Sequence, residues 1–492
     1  MMLITSRRAN IRRVLFFCLL LWLPAALVAD ELATLLEEAE RVNPGIQAAS
    51  WRVEQALLKH QELLEFLDPS WQGAVGKSEA IRSIPGAVGY TSLAGNSREI
   101  QAGIQIPVPA GAYVTLGSAL RILDDVGDSD YLYQTLHGVK VRIPLLRDRA
   151  FRSLSISRAQ ALAEYNATAA AMLRENQVLR RDIELAYISA YETLAAHRVT
   201  QAATERFLAL LNETKELCRL KVVPDYQINQ ALLDLQIGRE DEEKSRNRVE
   251  LGLVSLARII GVERAIKLSI DPEQFFAQAL QKPVLGSVPF ELACHSRGSF
   301  LEILNAMKVA RAQMDRALEE AKDDVSLNFG VTWMGEGEDH FFQSEKITTN
   351  HHLGGEVTVA WRRSLDYRGP RARQARFQAR VHELNELLRA LTVDIRAEIR
   401  NAELNYQAAL TRLKMVTEGI TAARDTVAAE QERFRLGEST SKNVTDAQKN
   451  LTAILHRQTT AAADLLRARA NYMYAIGYRE EAMLPAAQDE QP

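Results

Sequence analysis

Hydrophobic positions along the chain follow two different periods. Val325, Leu327, Phe329, Val331 and Trp333 alternate with Ser326, Asn328, Gly330 and Thr332. Val357, Val359 and Trp361 alternate in the same way, as do Val139, Val141, Ile143 and Leu145, and Ile100, Ala102, Ile104, Ile106 and Val108. Side chains on a strand point alternately to its two sides, so period two predicts strands with one apolar face. Elsewhere the apolar positions have helical spacing. Ile183, Tyr187, Ala190 and Leu194 form one stripe, and Ile395, Ile399, Ala402, Tyr406, Leu410 and Leu413 another. These stripes predict amphipathic helices.

The elements come in one order, twice. The first half predicts a helix over about 31–67, strands over about 70–145, a long helix over about 148–222, a break at Val223-Pro224, and a return helix over about 225–261 that stops at Gly261. The second half predicts a helix over about 298–323, strands over about 325–362, a long helix over about 366–436, a break at Gly437 and a return helix over about 440–477. At 1.5 Å per residue the long helix measures roughly 110 Å and each short one about half that. Two short helices end to end match one long helix, which predicts a rod.

The sequence itself repeats. A spacing of 216 residues pairs Ile183 with Ile399, Ala186 with Ala402, Leu194 with Leu410, Ile228 with Val444 and Gly261 with Gly477. Near the start of each half the spacing is 254 or 255, pairing Pro44-Gly45 with Gly298-Ser299 and Trp71 with Ser326. The first half therefore carries about 38 extra residues among its strands. Two tandem copies of one unit, 30–261 and 298–477, flank a mixed linker at 262–297 with Pro272, Pro283 and Pro289; a tail follows at 478–492. The extra residues around 78–115 leave the strand number at four or six. It is six if they form a pair, with Pro109-Ala110-Gly111 as a tight turn.

Residues 1–29 have the pattern of a removable export signal. Arg7, Arg8, Arg12 and Arg13 precede an apolar run from Val14 to Leu23, too short for a permanent membrane helix. Cleavage after Ala29 makes Asp30 the first mature residue, outside the cytoplasm; a retained N-terminal anchor is the alternative. Alternating runs of about ten residues suit tilted strands crossing an outer membrane, polar face to a lumen. Trp71, Trp333, Trp361 and Tyr133 lie near run ends, where interfacial aromatics sit. A soluble sheet alternates in the same way, so the strands leave both environments open. So few strands close no barrel, and lipid does not tolerate open edges. The membrane reading therefore requires several chains.

Composition narrows the chemistry. Lys and Arg number 60 against 63 Asp and Glu, a formal net of -3, so no basic excess points to nucleic acid. Three cysteines are too few for a disulfide scaffold. The return helix holds Cys218 and Cys294 roughly 50 Å apart, beyond any disulfide. Glu338, Asp339, His340, His351 and His352 are metal-ligand types, but they fall in 335–352, read as a solvated surface loop. No nucleophile set, phosphate loop or catalytic carboxylate pair stands out. The expectation is a protein that is not an enzyme and has no cofactor.

The order signal, helix, strands, long helix, tip and return helix, all twice, resembles the TolC-type outer-membrane efflux proteins. The sharpest local match is Arg433-Phe434-Arg435-Leu436-Gly437-Glu438-Ser439-Thr440, followed by Val444, Asp446-Ala447 and Leu451. Asn43-Pro44 and Gly477 also fit. The resemblance implies a mainly α fold with a membrane β-barrel part, assembled as a trimeric α/β-barrel tunnel. It implies a homotrimer in outer-membrane lipid that meets a periplasmic adaptor and an inner-membrane pump. The function implied is a passive exit duct for efflux or type I secretion, its cargo a drug, a metal ion or a polypeptide. A lumen gate is implied at the tip. Asn443 and Asp446 match two acidic positions of the family, Phe434 and Ser439 match the latching Tyr and Arg, and Gln227 matches their acidic partner. One acidic ring remains and a charge-based latch does not, which implies a looser or apolar closure. The bland reading of Asp446 is an exposed residue in a helix's first turns. The two tips, Lys221, Val222 and Val223 on one copy and Gly437, Glu438 and Ser439 on the other, are implied as the adaptor-docking site. Lys221 stands where the family usually has glycine, and Gly437 reads as a helix C-terminal glycine. The helices alone also admit an elongated periplasmic coiled-coil adaptor or scaffold protein.

Overall fold

A computed structural model describes residues 26–477, apart from 80–95, 110, 127–128, 282–289, 339–350, 364–365 and 367. Residues 1–25 of the expected signal, 1–29, and the expected tail 478–492 lie outside the described residues. Contacts divide the chain into a sheet-bearing unit, residues 49–172 and 299–392, and a helical unit made of the remaining three stretches.

In the first repeat α1 (Ala26–Val42) and α2 (Pro44–Glu62) lead to β1 (Ser70–Glu79), β2 (Asn96–Val108), β3 (Ala112–Val126) and β4 (Ser129–Pro144). Then come α3 (Arg152–Arg219) and α4 (Tyr226–Ile260). The linker holds α5 (Pro272–Gln281) and α6 (Phe290–Ser296). The second repeat is α7 (Gly298–Glu320), β5 (Asp324–Glu338), β6 (His351–Arg362), α8 (Arg368–Arg435) and α9 (Ser441–Ala475). Both long helices have 68 residues and both return helices 35. Among the described residues no helix is long and apolar enough to cross a membrane.

Two boundaries differ from the sequence expectation. The single helix over 31–67 is interrupted at Asn43, because Pro44 has no N–H to continue the ladder. Asn43 restarts it: its Oδ1 accepts from the Gly45 N–H at 2.9 Å, and its Nδ2 donates to the Ile259 carbonyl, also at 2.9 Å. Strand pairing enters the segment read as a loop at 335–352 from both ends. Met334 pairs with His352 and Gly335 with His351, so strands reach Glu338 and His351. Backbone pairing outlasts the apolar alternation, since ladder bonds need only N–H and C=O groups. Residues 339–350, including Asp339 and His340, lie outside the described residues.

The sheet-bearing unit is an antiparallel meander in the order β1-β2-β3-β4-β5-β6. The extra residues of the first repeat contribute β2 and β3, which makes six strands among the described residues. At their turn Gly111 takes φ +88° and donates to the Val108 carbonyl at 2.8 Å. Register sorts the two faces. One row across the sheet reads Trp71, Ile104, Leu116, Val139, Val331 and Gly355; the next row on the opposite face reads Ser70, Gln105, Thr115, Lys140, Gly330 and Glu356. The apolar face stays exposed: Val357, Val359 and Trp361 are 69%, 67% and 64% accessible. From Val325 to Gly335 the band covers about 34 Å of strand, or about 26 Å of depth at a tilt of roughly 40°.

The helical unit has a conventional core. Ile183, Tyr187, Ala190 and Tyr191 of α3 meet Leu256 and Ile260 of α4, Leu35 and Ala39 of α1, and Phe275 of α5. Tyr187 and Tyr191 both donate their hydroxyls to Glu31 Oε2 at 2.8 Å. Burial, reinforced by that bond, pushes both phenols well above their usual range.

Candidate functional site: the paired tips

Each long helix ends in the same backbone motif. In the first repeat the Val222 N–H reaches the Leu217 carbonyl at 2.9 Å, and the Lys221 N–H reaches Cys218 at 3.0 Å. In the second, Glu438 reaches Arg433 at 2.8 Å and Gly437 reaches Phe434 at 3.1 Å. These are Schellman closures, in which a left-handed residue turns the chain so that the last carbonyls find donors. The left-handed residues are Lys221, φ +58°, and Gly437, φ +74°. Glycine occupies that region freely, whereas a side chain is strained there. Pro224 and Asp225 then lead into α4, and Thr440 caps α9 by accepting from the Asn443 N–H.

The tips pack together. Phe434 is fully buried among Leu210, Cys218, Val223 and Val444. A Cβ built on Gly437 would stand 3.3 Å from Val222 Cγ1, so the second turn lies directly on the first. Gln227 at the start of α4 is buried, and its Oε1 accepts from the buried Ser441 N–H at 3.0 Å. That bond satisfies one of the free donors at the head of α9. Arg435 Nε donates to Glu213 Oε1 at 2.7 Å, adding an exposed tie. Burial raises the Cys218 thiol, helped by the Asp225 carboxylate.

The residues singled out from sequence thus fall into two groups. Phe434, Gln227, Val223 and Ser439 are buried within the chain. Asn443, Asp446, Lys221, Val222, Gly437 and Glu438 are exposed. Ser439 Oγ donates to Glu430 Oε2 at 2.8 Å and lies 3.1 Å from Asn443 Nδ2. Asp446 projects from the exposed side of α9 one turn beyond Asn443. Sequence reasoning missed the ties between repeats. Asp234 has a side chain only 4% accessible and accepts from Lys449 Nζ at 2.9 Å. Further along, a cleft of about 690 Å³ between α3, α4 and α9 holds His456. Burial and the nearby Arg248 hold its imidazole below the usual range, against a smaller opposing effect of Asp241. No local pattern announces these residues, because their partners are more than two hundred positions away.

Among the described residues no group of His, Cys, Asp and Glu could hold a metal ion. What the geometry offers is a polar sheet face, an apolar sheet face and a joined pair of helix tips with exposed carboxylates at Asp225, Glu438 and Asp446.

No protein-family pattern matches the chain, and neither does any curated protein sequence. Solved structures do. The chain is similar to CusC, described as forming a transmembrane channel, at 14% identity and TM-score 0.67, over 91% of this chain and 92% of that one. It is similar to the outer membrane protein VceC of Vibrio cholerae at 16% identity and TM-score 0.65, over 91% and 96%. The open state of the MtrE outer membrane channel of Neisseria gonorrhoeae matches at 14% identity and TM-score 0.64, over 91% and 88%. The chain has the fold of TolC-type outer-membrane channels, traced through nearly its whole described length.

Proposed function

We propose that this protein is the outer-membrane exit duct of an efflux or type I secretion system. It sits in the outer membrane, extends into the periplasm and passes cargo outward without doing chemistry on it. The observation that carries this reading is the sheet: apolar on one face, polar on the other, with both edges unpaired among the described residues. Lipid rewards an apolar outer face and forbids free edges, so the sheet becomes stable there when copies share one barrel. Three copies of six strands make a closed wall around a polar lumen. An elongated soluble adaptor has no use for an exposed apolar band of that height.

The tips supply the gate and the docking site. Asp446 is the carboxylate that three-fold assembly repeats around the lumen, with Asn443 one turn before it. Phe434, Ser439 and Gln227 hold the tip together from inside. Lys221, Val222, Gly437 and Glu438 present the exposed surface for a periplasmic adaptor and its inner-membrane pump, with Val223 and Ser439 buttressing it. Fractionation tests the reading: the mature chain is expected in the outer membrane as a trimer after mild detergent extraction. A soluble monomer would refute it.

A further inference from the structure

We propose that acidic residues leading into β1 and basic residues leaving β6 form an electrostatic clamp between neighbouring copies of this chain. The inference rests on the membrane-duct reading and specifies how copies recognise one another. In the sheet β1 and β6 have one neighbour each. Their outward side chains show it: Trp71 and Val75 on β1 are 80% and 81% accessible, against 37% for Trp333 on the interior strand β5.

The charges at these edges are opposite. Before β1 come Glu62, Glu65 and Asp68, all exposed and without a side-chain partner among the described residues. Arg362 ends β6 opposite Asp324, and Arg363, Arg368, Arg371 and Arg373 follow it, all exposed. Asp323 and Glu320 engage Arg363 and Arg373, and Asp366 stands 3.9 Å from Arg368. Arg362 and Arg371 have no acidic partner among the described residues. A surplus of negative charge thus marks one edge and of positive charge the other.

Strand direction brings these ends together. β1 and β6 run antiparallel, as the unbroken meander requires. When β1 of one copy continues the sheet beyond β6 of the next, Ser70 lies beside the Arg362 end. The acidic approach then meets the basic exit. Pairing β1 with β1 of another copy, antiparallel, would set the helix-bearing end of one copy against the hairpin end of the other. That arrangement would put helices on both sides of the membrane. The interface is therefore head to tail, the kind that closes a ring. Opposite charges favour it, and like charges disfavour mispaired edges.

The test uses the full chain expressed in outer membranes, with assembled oligomer read after mild extraction and cross-linking. Glu65→Lys with Asp68→Lys is expected to lower the assembled fraction about tenfold, as is Arg368→Glu with Arg371→Glu, because each sets like charges across the seam. All four changes in one chain restore complementarity and should restore assembly. That rescue separates a clamp from misfolding. A four-fold variant as impaired as its parents would overturn the clamp. So would loss confined to the arginine variant, which would assign those arginines to anionic lipid headgroups. If unaltered protein assembles and every variant assembles equally, the clamp is wrong and the duct reading stands. If unaltered protein is monomeric in the membrane, both fall.

Discussion

Lys221 and Gly437 occupy equivalent places and adopt nearly the same backbone, yet only one is glycine. A non-glycine residue in the left-handed region costs about 1 kcal/mol or more. Lys221→Gly should therefore stabilise the protein by about 1 kcal/mol, read as a higher melting temperature. Gly437→Val should do the opposite. It adds left-handed strain and drives atoms toward Val222, so export should fall and adaptor capture weaken while barrel and trimer persist. A Gly437→Val protein that captures its adaptor and exports at the parental rate would place docking elsewhere. His456 supplies a pH effect of definite sign. Its folded pKa is lowered by burial and Arg248, so the unfolded chain binds the proton more readily. Thr200 on α3 and Asp241 on α4 also face it, and neither reverses that direction. This contribution is complete above the unfolded histidine pKa and declines as pH falls through and below that value. Urea midpoints measured from pH 7.5 to 5 should drop, and His456→Gln should flatten the slope.

At the scale of elements, the two hairpins behave as one tip because their ends share a core. Phe434 belongs to the second repeat, but Val223, Leu210 and Cys218 belong to the first. Phe434→Ala should cost about 3–5 kcal/mol, and the cavity opens at the join rather than inside either hairpin. Hydrogen exchange should therefore accelerate at the heads of α4 and α9 together. Faster exchange at α9 alone would mean that the turns are held separately. Gln227→Ala leaves the buried Ser441 N–H without its acceptor, worth about 1–3 kcal/mol. A double-mutant cycle with Phe434→Ala should reveal coupling, since both residues brace the same contact.

For the whole molecule, the proposed trimer would bring the exposed Asp446 carboxylate of each chain into one ring. A lone Asp on a helix surface does little. Three around a narrow axis, flanked by low-dielectric walls, raise the local concentration of cations. Asp446→Ala should weaken cation preference in planar bilayers and relieve block by multivalent cations. Unchanged selectivity would take Asp446 out of the lumen.

Much of this protein was legible without coordinates. The two periods, 2 and 3.6, follow from the geometry of strand and helix, so alternation at 325–333 and the stripe through Ile183 announced their elements directly. Like residues at the 216-residue spacing were legible where local chemistry sets the backbone, as at Gly261 and Gly477, both of positive φ. Helix ends were legible at Gly261 and Gly437, where local chemistry controls the turn. Other features depended on partners remote in sequence. The pairing of β2 with β3 as a full hairpin, and the extension of β5 and β6 past their apolar stretches, are decided by backbone bonds that no side-chain pattern encodes. The family resemblance implies latch positions at Phe434 and Gln227, but only the fold shows these side chains buried where the two tips meet. The reason is physical: periodicity reports which side of an element is apolar, whereas burial depends on what another element, two hundred residues away, brings against that side.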